Sequence, residues 1–112
     1  VSYDEGLAER LRDVLEPQRA ITEKTMSGAL AFMSGGYMFV GILGDVLMAR
    51  VGPDYYQQAL ARVHVREMDF TGKPMKGYVF VDPPGFEQDS QLSDWVQKCH
   101  RFVQSLPPRK PK

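Results

Sequence analysis

The sequence contains little cysteine and histidine, no excess of either charge and no long apolar run. Its 112 residues include one cysteine and two histidines, so neither an intramolecular disulfide nor a zinc site with the usual ligand spacing is expected. Fourteen basic side chains balance fourteen acidic ones, which argues against a strong global attraction to nucleic acid or to a membrane surface. No apolar run approaches the roughly 18 residues of a membrane-spanning helix, and no secretion leader is apparent. The cytoplasm is therefore the expected compartment.

What the sequence does contain is enough apolar surface for a core. The hydrophobic fraction is 43%, and a chain of this length can bury about 65% of its unfolded surface without disulfides or metals. We expect one domain over residues 1–106. The end of the chain, residues 107–112, is rich in proline and basic residues and is expected to be a disordered tail.

Helical periodicity occurs in three places. Ser2 and Glu5 fit a capping box ahead of a first helix that ends at Pro17. Proline at a first helical position predicts a short second helix from Pro53 to about residue 61. A third helix is expected to be capped by Asp89 or Ser90, and its apolar stripe comprises Leu92, Trp95, Val96, Cys99, Phe102, Val103 and Leu106.

Strand-like runs fill the intervals between these helices. Residues 21–26 indicate a short strand or the entry to one, and residues 29–33, 37–43 and 46–51 are separated by glycine-containing turns typical of hairpins. Residues 63–70 and 76–81 complete the set. The order α-β-β-β-α-β-β-α predicts an α+β two-layer sandwich, with one antiparallel sheet and the helices on one of its faces.

The stretch Thr71-Gly72-Lys73-Pro74 invites comparison with a phosphate-binding loop. In that motif Glu67 would occupy the first glycine position and Pro74 the position of the metal-binding hydroxyl. Proline also removes a backbone N–H that would contact phosphate. The stretch is therefore interpreted as a turn between two strands.

The remaining chemically reactive side chains have no suitable partners in sequence. Cys99 lies on the apolar stripe of the third helix and is expected to be a buried, inert thiol, whereas His100 is expected at the solvent side or helix edge. His64 is placed on a strand with Arg66 on the same face, as a partly exposed structural residue. No catalytic, cofactor-binding or metal-binding residues are predicted.

Aromatic residues alternate along two of the predicted strands. Tyr37 and Phe39 belong to one strand and Tyr78 and Phe80 to another, so each pair is expected on one sheet face. A two-layer domain leaves one face open, and that face could bind a partner or a second copy. Arg50 joins this set because it ends a strand and either pairs locally or faces a ligand. The six methionines cluster around the strands and are interpreted mainly as core filler.

Four motifs, in order along nearly the whole chain, carry a family resemblance. Residues 25–33 (TMSGALAFM), 36–38 (GYM), 45–53 (DVLMARVGP) and 68–79 (MDFTGKPMKGYV) resemble the N-terminal domain of the TfoX/Sxy family, known for regulators of bacterial competence. The resemblance implies a two-layer α+β fold shared with YjbR-like and secretion-chaperone-like domains. It implies no enzymatic activity and no cofactor.

Two functional hypotheses remain open at this point. The first is a non-enzymatic regulatory module, expected to be homodimeric, that acts on a transcriptional or other protein partner through its open sheet face or an edge strand. The second is a weak nucleic-acid-binding protein that uses basic residues near its C-terminal end. The candidate residues for this second function are Lys98, Arg101, Arg109, Lys110 and Lys112.

Overall fold

The order of helices and strands largely follows the turn and capping residues of the sequence. The computed structural model of the protein describes residues 3–18, 20–69 and 72–108. Three α-helices, six strands and one short 3-10 helix span these residues. Their bounds are α1 Glu5–Leu15, β1 Ile21–Met26, β2 Ala29–Ser34, β3 Tyr37–Leu43, β4 Val46–Arg50, α2 Tyr56–Leu60, β5 Val65–Glu67, β6 Tyr78–Val81, the 3-10 helix Pro83–Phe86 and α3 Asp89–Gln104.

The six strands form one antiparallel sheet in the order β1-β2-β3-β4-β6-β5. Together with the helices this is the α+β two-layer architecture predicted from the sequence. Residues 21–26 form a complete strand that pairs with β2 along its whole length, so four strands rather than three precede α2. Positive φ angles at Ser27 and Gly28 allow the tight turn that joins β1 to β2.

Several element boundaries differ from the sequence prediction. Strand β5 is limited to three residues, because His64 adopts a left-handed φ of 70° just before it. The predicted strand face for His64 is therefore wrong; its carbonyl instead accepts a hydrogen bond from the backbone of Asp82. Helix α2 begins at Tyr56 rather than at Pro53, and β6 begins at Tyr78.

The helix caps also differ from those predicted. Asp4 caps α1, since its carboxylate accepts a hydrogen bond from the backbone of Gly6 at 2.8 Å; Ser2 lies outside the described residues. Gln88 precedes α3, and its backbone N–H donates to the side chain of Gln91 at 2.9 Å. The cap of α1 thus lies two residues after the predicted Ser2, and the cap of α3 lies one residue before the predicted Asp89.

The main core lies between the three helices and one face of the sheet. The predicted apolar stripe of α3 is confirmed, with Phe102 and Leu106 partly buried and its other members fully buried. Facing it are alternate residues of the strands, including Phe32, Ile42, Leu47, Val79 and Val81. Helix α1 adds Leu7, Ala8, Leu11 and Leu15.

A paired guanidinium and carboxylate fix α1 over the edge strand β1. Arg12 donates two hydrogen bonds to Glu23, at 2.8 and 2.9 Å. These bonds hold the pKa of the Glu23 carboxyl below its usual range. Because Glu23 pairs with Phe32, whose ring lies in the main core, this face of β1 is the face that the helices cover.

Candidate partner-binding site

The second face of the sheet has no helix packed on it among the described residues. A smaller apolar cluster forms there from Ala29, Met48, Met68 and Phe80, which are all largely buried. Strand alternation places these residues opposite the main core, since Leu47 and Ala49 flank Met48 and point into that core. Apolar side chains therefore occupy both faces of the sheet, but helices shield only one.

A concave groove lies beside this cluster and is lined mainly by methionine side chains. We call it the methionine groove; it has a volume of about 360 Å³. Met48 and Met68 are 4% and 6% exposed and form its floor, whereas Met26 is 41% exposed at its rim. Five of the six methionines of the chain meet here. The lining residues are Met26, Ser27, Ala29, Met38, Met48, Met68, Met75 and Tyr78.

Arg50 ends β4 within an aromatic clamp formed by Tyr37, Tyr78 and Phe102. Its guanidinium carbon lies 5.4, 5.2 and 5.5 Å from the centroids of these three rings. The rings come from β3, β6 and α3, so three separate elements hold one cation. Distances of this size allow favourable cation–π interaction. Tyr78 also lines the methionine groove, which makes the clamp and the groove neighbours.

The predicted partner-binding residues have different environments in the structure. Tyr78 and Arg50 are half-buried at the groove and clamp, while Tyr37 donates a hydrogen bond from its hydroxyl to the carbonyl of Pro107 at 2.6 Å. Phe80 is 5% exposed beneath the guanidinium of Arg66. Phe39 has no exposed surface and lies in the main core, so it cannot contribute a contact surface.

The basic residues predicted for nucleic-acid binding are partly brought together. Lys98 and Arg101 line a pocket of about 350 Å³ that also includes Tyr55 and Phe102. Lys98 has a carboxylate partner, Asp94, at 3.4 Å. The other three predicted residues, Arg109, Lys110 and Lys112, lie outside the described part of the chain, as does most of the predicted tail.

The reactive side chains are placed in structural surroundings. Cys99 is buried on α3, and burial raises the pKa of its thiol, which keeps it in the unreactive protonated form. His100 is half-buried, which agrees with the helix edge among its two predicted positions: its ring lies 5.1 Å from that of Phe39, and its Nε2 is 3.3 Å from the hydroxyl of Ser34. Burial lowers the pKa of His100. Across residues 3–18, 20–69 and 72–108, no group of three histidine, cysteine or acidic side chains could hold a metal ion.

The sequence interpretation missed the convergence of the methionines. Residues 26, 38 and 48 belong to three different strands and residues 68 and 75 to the connection between β5 and β6, and only the sheet pairing brings these four segments to one face. A signal was nevertheless present for two of them, because Met38 is followed by the core residue Phe39 and Met48 lies between the core residues Leu47 and Ala49. Core filler is an accurate description of Met48 and Met68 but does not describe the exposed Met26.

The fold and the groove define a class of protein: a two-layer α+β domain in which one sheet face has no described helix packed on it and carries an apolar groove. Within that class, the TfoX N-terminal domain family model matches residues 13–103, and the chain belongs to that family. This is a regulatory, competence-type domain family and is not a known enzyme family. Comparison with curated proteins and with solved structures gives no significant match. No helix in the described part of the chain is both long and apolar enough to cross a membrane.

Proposed function

We propose that this chain is a non-enzymatic regulatory module that modulates transcription by binding a protein partner through the methionine groove. The observation that carries the proposal is an apolar groove on a sheet face that no described helix covers. Membership of a regulatory family supports the same function. Of the residues predicted from the sequence, Tyr78 and Arg50 belong to the proposed surface. Tyr37 contacts Arg50, and Phe80 is buried under the surface.

A protein segment suits the groove better than a polar metabolite. Its lining is mostly thioether and aliphatic surface, with Ser27 and Tyr78 contributing hydroxyl groups. Methionine side chains are flexible and polarizable, and binding surfaces rich in them adapt to different apolar partners. We therefore infer that large apolar side chains of a partner protein enter the groove.

A charge at the groove rim should weaken this binding without unfolding the domain. The test variant is Met26→Glu, because Met26 is already exposed and a carboxylate there would be buried against a partner's apolar side chains. The matched control is Val63→Glu, at a residue that is 75% exposed and does not line the groove. Proteins captured by tagged wild-type chain are purified and titrated in solution. We expect Met26→Glu to weaken binding by about tenfold or more, and Val63→Glu to leave it unchanged.

A second measurement on the same three proteins distinguishes a different protein partner from a second copy of this chain. Sedimentation velocity of the purified chain would show a dimer that Met26→Glu dissociates if the groove binds another copy of this chain. A purified partner whose affinity is identical for all three proteins would show that the groove is not the binding surface.

The nucleic-acid alternative is favoured by one observation, the shared pocket of Lys98 and Arg101 beside two aromatic rings. Fluorescence anisotropy of mixed-sequence duplex DNA at low and physiological salt tests it. Direct binding should weaken with salt and should weaken further in a Lys98→Ala/Arg101→Ala variant and in a variant with Arg109, Lys110 and Lys112 changed to alanine. No binding at low salt would exclude direct DNA contact.

A further inference from the structure

Arg50 differs from the other arginines of the described residues in its surroundings. Arg10, Arg12, Arg62 and Arg66 each lie within ion-pair distance of a carboxylate. Arg101 has no such partner but is exposed on α3. Among the arginines in the described part of the chain, Arg50 is the half-buried one that has no carboxylate within ion-pair distance. Aromatic rings surround its guanidinium instead.

The clamp does not bury the guanidinium nitrogens of Arg50. Guanidinium groups interact with rings through their faces, whereas their five N–H groups lie in the plane. The side chain of Arg50 makes no hydrogen bond to a described residue, and no buried side-chain nitrogen or oxygen among the described residues lacks a partner, so the guanidinium nitrogens of Arg50 retain access to solvent. The three rings also restrict the side chain, which lowers the entropy cost of binding a ligand.

The charges on the open sheet face favour an acidic ligand. Strand pairing places Lys24 opposite Ala31 and Arg66 opposite Phe80 on this face. Arg50 pairs with Tyr78 at the end of β4, where its guanidinium lies at the rim of the face and also contacts Phe102 of α3. The acidic residues of the same strands, Glu23 and Glu67, pair with core residues and lie on the helix side. Asp82 neutralises Arg66 at 3.2 Å. Among the charged strand residues at this face and its rim, Lys24 and Arg50 therefore have no carboxylate within ion-pair distance in the described part of the chain.

We propose that Arg50 is the residue that recognises a carboxylate of the bound partner, and that the partner segment is acidic and apolar. This inference rests on the proposed function of the methionine groove. A large apolar side chain of the partner occupies the groove, and an aspartate or glutamate a few residues away accepts two hydrogen bonds from the guanidinium edge. Tyr78, which lines the groove and contacts Arg50, sets the two parts of the ligand side by side.

Selection from a phage-displayed library of random 12-residue peptides tests the proposal. The baits are the wild-type chain, Arg50→Gln and Arg66→Gln. Arg66 is the matched control, because it also lies over an aromatic ring on this face but already has a carboxylate partner. Wild type and Arg66→Gln should select peptides with an acidic residue near a large apolar one. Arg50→Gln should select apolar peptides without the acidic preference.

A double-mutant cycle then separates recognition from a structural role of Arg50. The best wild-type peptide and its Glu→Gln or Asp→Asn counterpart are titrated against wild type, Arg50→Gln and Arg50→Lys by fluorescence anisotropy. The peptide change should cost wild type about 10- to 100-fold in affinity and Arg50→Gln less than about twofold. Arg50→Lys should lie between them, because a lysine keeps the charge but loses the two-pronged geometry.

The possible failures are distinguishable. One failure is a set of peptides that bind wild type but not Met26→Glu and still show no acidic preference, or no coupling to Arg50 in the double-mutant cycle. Either result would overturn the role of Arg50 while supporting the groove as the binding surface. Peptides that bind Met26→Glu as tightly as wild type would overturn the groove as the binding surface, and the Arg50 proposal with it. The absence of any selected peptide would also count against both.

Discussion

Replacing Trp95 with alanine is expected to lower the free energy of unfolding by about 3–5 kcal/mol, the largest effect of any substitution considered for this domain. Trp95 is 1% exposed at the centre of α3 and packs against the main core. Its indole N–H donates to the carbonyl of Gly85 at 3.3 Å, and the guanidinium of Arg62 lies 4.2 Å from the ring centroid. Alanine would leave a cavity where α3 meets the 3-10 helix.

Urea denaturation followed by far-UV circular dichroism measures this loss. Fluorescence is unsuitable, because Trp95 is the only tryptophan of the chain. Trp95→Phe is the matched variant. It keeps an aromatic ring beneath Arg62 but removes the hydrogen bond that the indole N–H donates to the carbonyl of Gly85, so we expect the free energy of unfolding to fall by only about 1–2 kcal/mol. A loss below about 1 kcal/mol for alanine would show that this part of the core contributes little to stability.

Replacing Gly52 with alanine is expected to cost about 2–4 kcal/mol. Gly52 has a φ of 88°, a left-handed conformation that strains any residue with a Cβ by about 1–2 kcal/mol. A Cβ at this position would also lie only 2.5 Å from Cδ1 of Phe102, and overpacking of this kind costs about 1–3 kcal/mol. Because Phe102 belongs to the aromatic clamp, its displacement would also disturb Arg50.

Gly72 provides a matched control for the backbone contribution. Its φ of 85° is almost the same, but a Cβ there would meet no atom within 4 Å. Gly72→Ala should therefore cost only about 1–2 kcal/mol, and the difference from Gly52→Ala isolates the contact with Phe102. In a Phe102→Ala background the two glycine substitutions should cost similar amounts. Equal costs in the wild-type background would contradict the proposed clash.

The local parts of the fold were accessible from sequence because short-range chemistry controls them. The Gly35-Gly36 turn has φ angles of 60° and 84°, as the tight hairpin requires, and the apolar stripe of α3 is buried as predicted. The errors occurred where a tertiary contact overrides a local signal. His64 adopts a left-handed conformation that β propensity does not indicate, and its carbonyl accepts a hydrogen bond from the backbone of Asp82.

The sequence by itself determined the element types, the hairpin turns and the alternation that sends Leu47 to one sheet face and Met48 to the other. Tertiary structure alone decided that β6 pairs with β4, a contact that spans α2 and β5 and that no local turn specifies. That pairing brings Met75 and Tyr78 beside Met26 and Met48 and sets Tyr78 under Arg50. The groove and the clamp are therefore products of long-range pairing, because their residues acquire a common surface only when distant strands meet.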